Sequence, residues 1–181
     1  RLAECLLLIA DKEDERTAFA KIIETFLSRY EEKYQNLMRR KLGLNNAQED
    51  DAALIRDYLD LLEANSLDYT LSFRGLVDVM DVDSGDDSHL GDWLHRWRQR
   101  LGCEQVSSTD VRERLRASNP LFIPRNHRIE QAIQHAVAGD LSVFNEMVTV
   151  LRTPFNNQPA LAHYADAPAV EERVTRTFCG T

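Results

Sequence analysis

The chemistry-bearing residues of this chain fall into a few clusters. No glycine-rich phosphate loop, no GxSxG nucleophile elbow and no HExxH pair is present. Asp81, Asp83, Asp86, Asp87 and Asp92 form an acidic run, and clustered carboxylates suit a hard cation such as calcium. An EF-hand loop needs glycine at its sixth place and glutamate at its twelfth. Counted from Asp81, Gly85 is fifth and Asp92 is twelfth, so a solvated acidic loop is the better reading. His89, Asp92, His95 and Cys103 are residue types that bind zinc. The first three step by three and drift around a helix, which fits ordinary histidines better than a ligand set. Arg96, Arg98 and Arg100 with Trp93 and Trp97 could grip phosphate or stack on bases. The tryptophans lie four apart and share a helix face, whereas the arginines step by two and scatter. The expectation is Trp in the core and Arg outside, paired with surplus acids. No catalytic or metal-binding residue is assigned on these patterns.

Cys179 stands apart. It is third from the end, in Phe178-Cys179-Gly180-Thr181. Chain ends are usually exposed, and an accessible thiol can do redox chemistry if its pKa is lowered. A chance free cysteine is the alternative. Cys5 and Cys103 are far from it and from each other, with no CxxC pair, so a reducing, cytoplasmic compartment is the default.

The elements that position these residues read as helices. The 181 residues suit one domain with a real core. Lys and Arg total 22 against 30 Asp and Glu, a formal charge of −8. That balance argues against a general nucleic-acid or anionic-membrane binder. The longest strongly apolar run, Cys5 to Ala10, is far short of the ~20 residues that span a bilayer, and no signal-peptide pattern is visible. The chain opens at Arg1, already inside an apolar run, which reads as a fragment or a processed product. Apolar residues recur at spacings of three and four almost throughout. The fold class expected is all-α, an irregular bundle of about eight helices over 1–154, followed by a mostly irregular tail over 155–181.

Leu2–Ala10 reads as the end of one helix. A long helix follows over about 15–42, with Phe19, Ile22, Ile23, Phe26, Leu27, Tyr30, Tyr34, Leu37 and Met38 as its inward stripe and Gly43 as its cap. Asp50 and Asp51 open a third helix carrying Leu54, Ile55, Tyr58, Leu59 and Leu62. Asp68 caps a fourth with Leu71, Phe73, Leu76 and Val77 inward. A fifth, about 90–101, stops at Gly102, and Ser108 or Thr109 caps a sixth with Val111 and Leu115 inward. After the Asn119-Pro120 and Pro124 breaks, Asn126 caps a seventh with Ile129, Ala132, Ile133 and Ala136 on one face. Asp140 or Ser142 starts an eighth, with Phe144, Met147, Val148 and Leu151 inward, halted by Pro154. Pro168 opens a short turn through Val174. Within Asn119 to His127, Leu121, Phe122 and Ile123 plug a core. Arg125 and His127 could meet a phosphate or a partner, although a structural account covers most of the string.

Several segments together resemble the C-terminal portion of the selenoprotein O, or YdiU-like, family. They are Met38–Leu44 (MRRKLGL), Glu49–Ile55 (EDDAALI), Asp68–Arg74 (DYTLSFR), Trp93–Leu101 (WLHRWRQRL) and, most telling, Asn119–His127 (NPLFIPRNH). Gly139-Asp140, Arg152–Phe155, Tyr164-Ala165 and the terminal Phe-Cys-Gly-Thr follow in order. The resemblance implies a protein that transfers AMP from ATP to hydroxyl side chains of other proteins, using Mg or Mn. The kinase-like core that does this would lie upstream, so no ATP-site or metal-site residue carries over to this chain. What the resemblance implies here is a helical region that supports that core, meets its protein substrates and carries a redox-capable Cys179 where family members hold cysteine or selenocysteine. A cysteine of the missing core would be its partner. The competing reading is an independent helical interaction or dimerisation module, pairing through apolar surface. A third is a small metal enzyme using His89, Asp92 and His95.

Overall fold

The computed structural model describes residue 5, residues 13–80 and residues 90–174. Among them are seven α-helices, two 3-10 helices and no strand. The all-α expectation holds. The helix expected over Leu2–Ala10 (Cys5 aside), the acidic run Asp81–Asp87, His89 and Cys179 lie outside the described residues.

Helix α1 spans Glu13–Lys41, with Glu13, Asp14 and Glu15 in its first turn and Arg39, Arg40 and Lys41 in its last. Each end complements the helix dipole. It closes at Gly43, whose φ is +76°. The Leu44 N–H donates to Arg39 O at 2.9 Å and the Gly43 N–H to Arg40 O at 3.0 Å, a Schellman pair that satisfies otherwise orphaned carbonyls. A Cβ at Gly43 would sit 3.0 Å from Val111 Cγ1 and 3.2 Å from Leu115 Cγ. Gly43→Ala therefore combines left-handed strain with a core clash. It is expected to cost about 2 kcal/mol, read as a lowered urea midpoint at unchanged slope.

Helix α2 is Asp51–Ala64, α3 Tyr69–Val79, α4 Gly91–Gly102, α5 Ser108–Ser118, α6 Asn126–Val137 and α7 Ser142–Leu151. Asp68 caps α3 through the Leu71 N–H at 2.8 Å. The cap of α5 is Ser107, in a reciprocal box with Asp110, not Ser108 or Thr109. Arg125, not Asn126, holds the cap position of α6 and makes no side-chain cap bond. Gly102 does not turn the chain after α4; Gln105 takes the left-handed conformation three residues later, at φ 53°. Gly139 does so after α6, at φ 89°.

The main core joins α1 to α5. Tyr58, Phe73, Trp93 and Trp97 are its largest side chains, with Leu42, Leu44, Ile55, Leu76 and Leu115 around them. Tyr58 stacks on Trp93 at 4.1 Å and meets Phe73 edge-on at 4.9 Å. Each indole N–H finds a carbonyl, Trp93 Nε1 on Leu54 O at 2.8 Å and Trp97 Nε1 on Leu42 O at 2.9 Å. Aromatic burial is therefore gained here without an orphaned donor. A smaller cluster holds Phe122, Val150, Tyr164 and Ala165, with Leu121, Met147, Leu151 and Leu161 against it, so that α7 packs on the segments to either side of it. Tyr164 ends a 3-10 helix over Pro159–Tyr164 that the sequence pattern does not announce. A second short one covers Val170–Glu172, inside the turn expected after Pro168.

One expected inward face fails, and two others hold except at a single residue. The stripe of α1 is exposed from Phe19 to Leu37, and only Met38 at its end is buried. Ile133 and Phe144 also face outward. The cause is shared: amphipathicity fixes which face is apolar, not what lies opposite it.

Candidate functional site: two internal arginine clasps

Two polar assemblies organise the molecule. The first begins with Arg100, on α4. It lies three residues beyond Trp97 and seven beyond Trp93, hence on the same face, and it is buried with them. The outward placement expected for this arginine is thus corrected. Its Nε donates to Asp51 Oδ1 at 2.7 Å and its Nη1 to Glu104 Oε1 at 2.9 Å. A further Nη2 donation reaches Asn46 O. Asp51 also accepts from the Gln48 N–H at 2.9 Å, and Glu104 from the Asn45 N–H at 3.0 Å. Burial pulls the Arg100 pKa down, but the hydrogen bonds and charges of Asp51 and Glu104 outweigh it and hold the guanidinium ionised. The clasp ties the α1–α2 connection to the end of α4.

The second assembly is built on the Asn119–His127 segment. Asn119, almost fully buried, donates through Nδ2 to Lys41 O at 2.8 Å and Leu115 O at 3.0 Å, and accepts from Lys41 Nζ at 3.2 Å. Lys41 Nζ also sits over the Phe73 ring at 5.0 Å, and burial lowers its pKa. Arg74 donates to Arg116 O, Asn119 O and Phe155 O at 2.9 to 3.2 Å. Leu121 and Phe122 N–H groups share Pro154 O. Arg125 grips Asp68 with both Nη atoms, at 2.7 and 3.2 Å. That bond, aided by the capping N–H groups and opposed by burial, holds the Asp68 carboxyl below its usual range. One segment thus staples the smaller cluster to the main core.

His127 follows Arg125 into the interior. It is 4% exposed and its Nε2 has no hydrogen-bond partner. Burial, then the charge of Arg128, lowers its pKa. A histidine whose folded pKa is depressed binds its proton more readily when unfolded. Its stability contribution is present above the unfolded pKa of ~6.5 and is lost as pH falls through that value. The thermal midpoint should therefore drop between pH 7.5 and 5.5, and His127→Gln should flatten that part of the profile.

The residues singled out by pattern do not converge. Arg96 pairs with Asp57 at 2.8 Å near the surface, and Arg98 donates to Val79 O at 2.7 Å. His95 Nε2 lies 3.0 Å from Gln99 Nε2. Among the described residues no three His, Cys, Asp or Glu side chains stand close enough to share a metal ion. Cys5 and Cys103 are exposed free thiols. No helix among the described residues is long and apolar enough to cross a membrane. Both clasps engage their guanidinium groups with protein acids and carbonyls.

Comparison with known proteins places this architecture. Residues 1–152 match the family model described as protein adenylyltransferase SelO. The chain belongs to the SelO family. Among its relatives are proteins named protein nucleotidyltransferase YdiU. The one from Bradyrhizobium diazoefficiens is 41% identical over all of this chain and 39% of its own length. Those from Nitrobacter winogradskyi and Rhizobium etli are 43% and 37% identical, again over all of this chain and 38% and 39% of theirs. The chain therefore spans about 39% of the length of the curated relatives it matches. The resemblance carried by Asn119–His127 and its neighbours is correct, and the segment that carries it most strongly is the staple between the two cores.

Proposed function

We propose that this chain is the helical, non-catalytic portion of a SelO-type protein adenylyltransferase, and that its work is to support the part of the enzyme that handles nucleotide. In that reading ATP with Mg or Mn binds outside these residues. A protein Ser, Thr or Tyr hydroxyl oxygen bonds to the α-phosphorus, the bond to pyrophosphate breaks, and the hydroxyl proton passes to a base of that other part. The observation that carries the proposal is the fate of the arginines. Arg96, Arg98, Arg100 and Arg125, the candidates for a phosphate grip, are each engaged by a protein acid or carbonyl. Cys179 is assigned a redox role by position alone, with a cysteine of the nucleotide-handling part as its partner. Exposed free Cys5 and Cys103 fit a reducing, cytoplasmic setting.

The test joins this chain to the remainder of the Bradyrhizobium relative, in place of the matching 39%. The joined protein should transfer labelled AMP to protein hydroxyls when Mg or Mn is supplied, and the chain alone should not. Transfer by the chain alone would overturn the proposal.

A further inference from the structure

The strongest feature left unexplained is α1. From Glu13 to Tyr34 no side chain is buried, and only Ala20 is partly covered. Yet Phe19, Ile22, Ile23, Phe26, Leu27, Tyr30, Tyr34 and Leu37 share one face. At 100° per residue they cover about 140° of arc, interrupted between Phe19 and Leu37 only by Lys33. Phe26 is 66% exposed and Leu27 62%. Phe26, Tyr30 and Tyr34 stack in a ladder with centroids 6.3 and 6.2 Å apart.

Exposed aromatic and aliphatic area on this face is roughly 800 Å², more than the largest patch of a typical monomer and comparable to one side of a specific interface. A helix standing without tertiary packing is also marginal in water. The face needs an occupant.

We propose that the Phe19–Leu37 face of α1 is the seat on which the nucleotide-handling remainder of the family-length enzyme docks. This rests on the function proposed above and adds its contact surface. Two observations select that occupant. The relatives carry about 61% more of their own length beyond the part matched here, enough for a whole packed body. The stripe is also too wide for a helix pair: a two-stranded coil buries a narrow seam and would leave the flanking Ile22 and Leu27 wet. A face of 140° fits a surface of several elements.

The experiment compares Phe26→Glu/Tyr30→Glu with Ser28→Glu, which lies on the opposite side of α1, in the joined protein and in the 181-residue chain. In the chain alone both variants should melt like the parent, since neither position is covered. In the joined protein the double variant should lose at least tenfold in AMP transfer or fail to fold, while Ser28→Glu keeps the parental rate. Equal rates for the double variant and the parent would remove the α1 seat and leave the proposed function standing. Equal losses with Ser28→Glu would overturn it too, as would a chain-alone dimer that the double variant splits, which would make a second copy the occupant. A joined parent that never transfers AMP removes the proposed function itself.

Discussion

Arg100→Ala should cost about 3–5 kcal/mol, the range for breaking a buried ion pair from one side. Asp51 is 1% exposed and Glu104 4%, so the substitution takes the nearest cation from two buried carboxylates and leaves only the longer approaches of Arg39 to Asp51, at 3.9 Å, and Arg114 to Glu104, at 3.5 Å. At this chain length the loss corresponds to a midpoint lowered by ~10 °C. The pH dependence gives the mechanism away. Removing Arg100 takes away the nearest charge that favours the ionised form of both buried carboxylates, so the cost of the substitution shrinks where protons neutralise them. The gap between Arg100→Ala and the parent should therefore narrow as pH falls from 7 to 5, where the parent loses stability through His127. Arg100→Lys should rescue little. An ammonium cannot serve Asp51, Glu104 and Asn46 at once from one planar fork. If Arg100→Ala shifts the midpoint by no more than Arg96→Ala, whose partner Asp57 is half-exposed, the clasp is not what holds α4 to the α1–α2 connection.

Trp97→Ala should be as damaging, about 3–5 kcal/mol. The side chain is fully buried, stacks on Trp93 at 5.7 Å, and satisfies Leu42 O just before the left-handed Gly43. Truncation opens a cavity between α1 and α4 and leaves that carbonyl without its donor. Trp97→Phe separates the two contributions: it keeps most of the ring volume and loses the hydrogen bond, for about 1–2 kcal/mol. Urea unfolding of the three proteins, with slopes compared as well as midpoints, checks the ordering. A Trp97→Phe loss equal to that of Trp97→Ala would mean that packing contributes little there.

How much of this could be read beforehand differs between elements. The run of helices was legible because three-and-four spacing is a local signal, and Asp68 and Gly43 carried their capping roles in their residue types. The boundary at Ser107 was missed by one residue because a serine pair offers two equivalent caps and only the reciprocal Asp110 bond decides between them. Arg100 was misplaced although the signal was present: it completes the spacing set by Trp93 and Trp97, but charge argued the other way. Only Asp51, 49 residues away, together with Glu104, four residues on, makes its burial affordable in free energy. The exposure of the α1 stripe was beyond reach, since sequence shows an apolar face without showing what meets it. In Asn119–His127 the turn and core-plug roles were readable from proline and apolar residues. The pairing of Arg125 with Asp68, 57 residues away, was not.

The central claim is that these helices are scaffold and that Arg96, Arg98, Arg100 and Arg125 are already committed to protein acids and carbonyls. Titration of the 181-residue chain with ATP and magnesium in a calorimeter tests it most directly. The account predicts no saturable heat and no shift of the thermal midpoint at millimolar nucleotide. Saturable binding at micromolar concentration, lost when Arg125 or Arg100 is replaced, would contradict it.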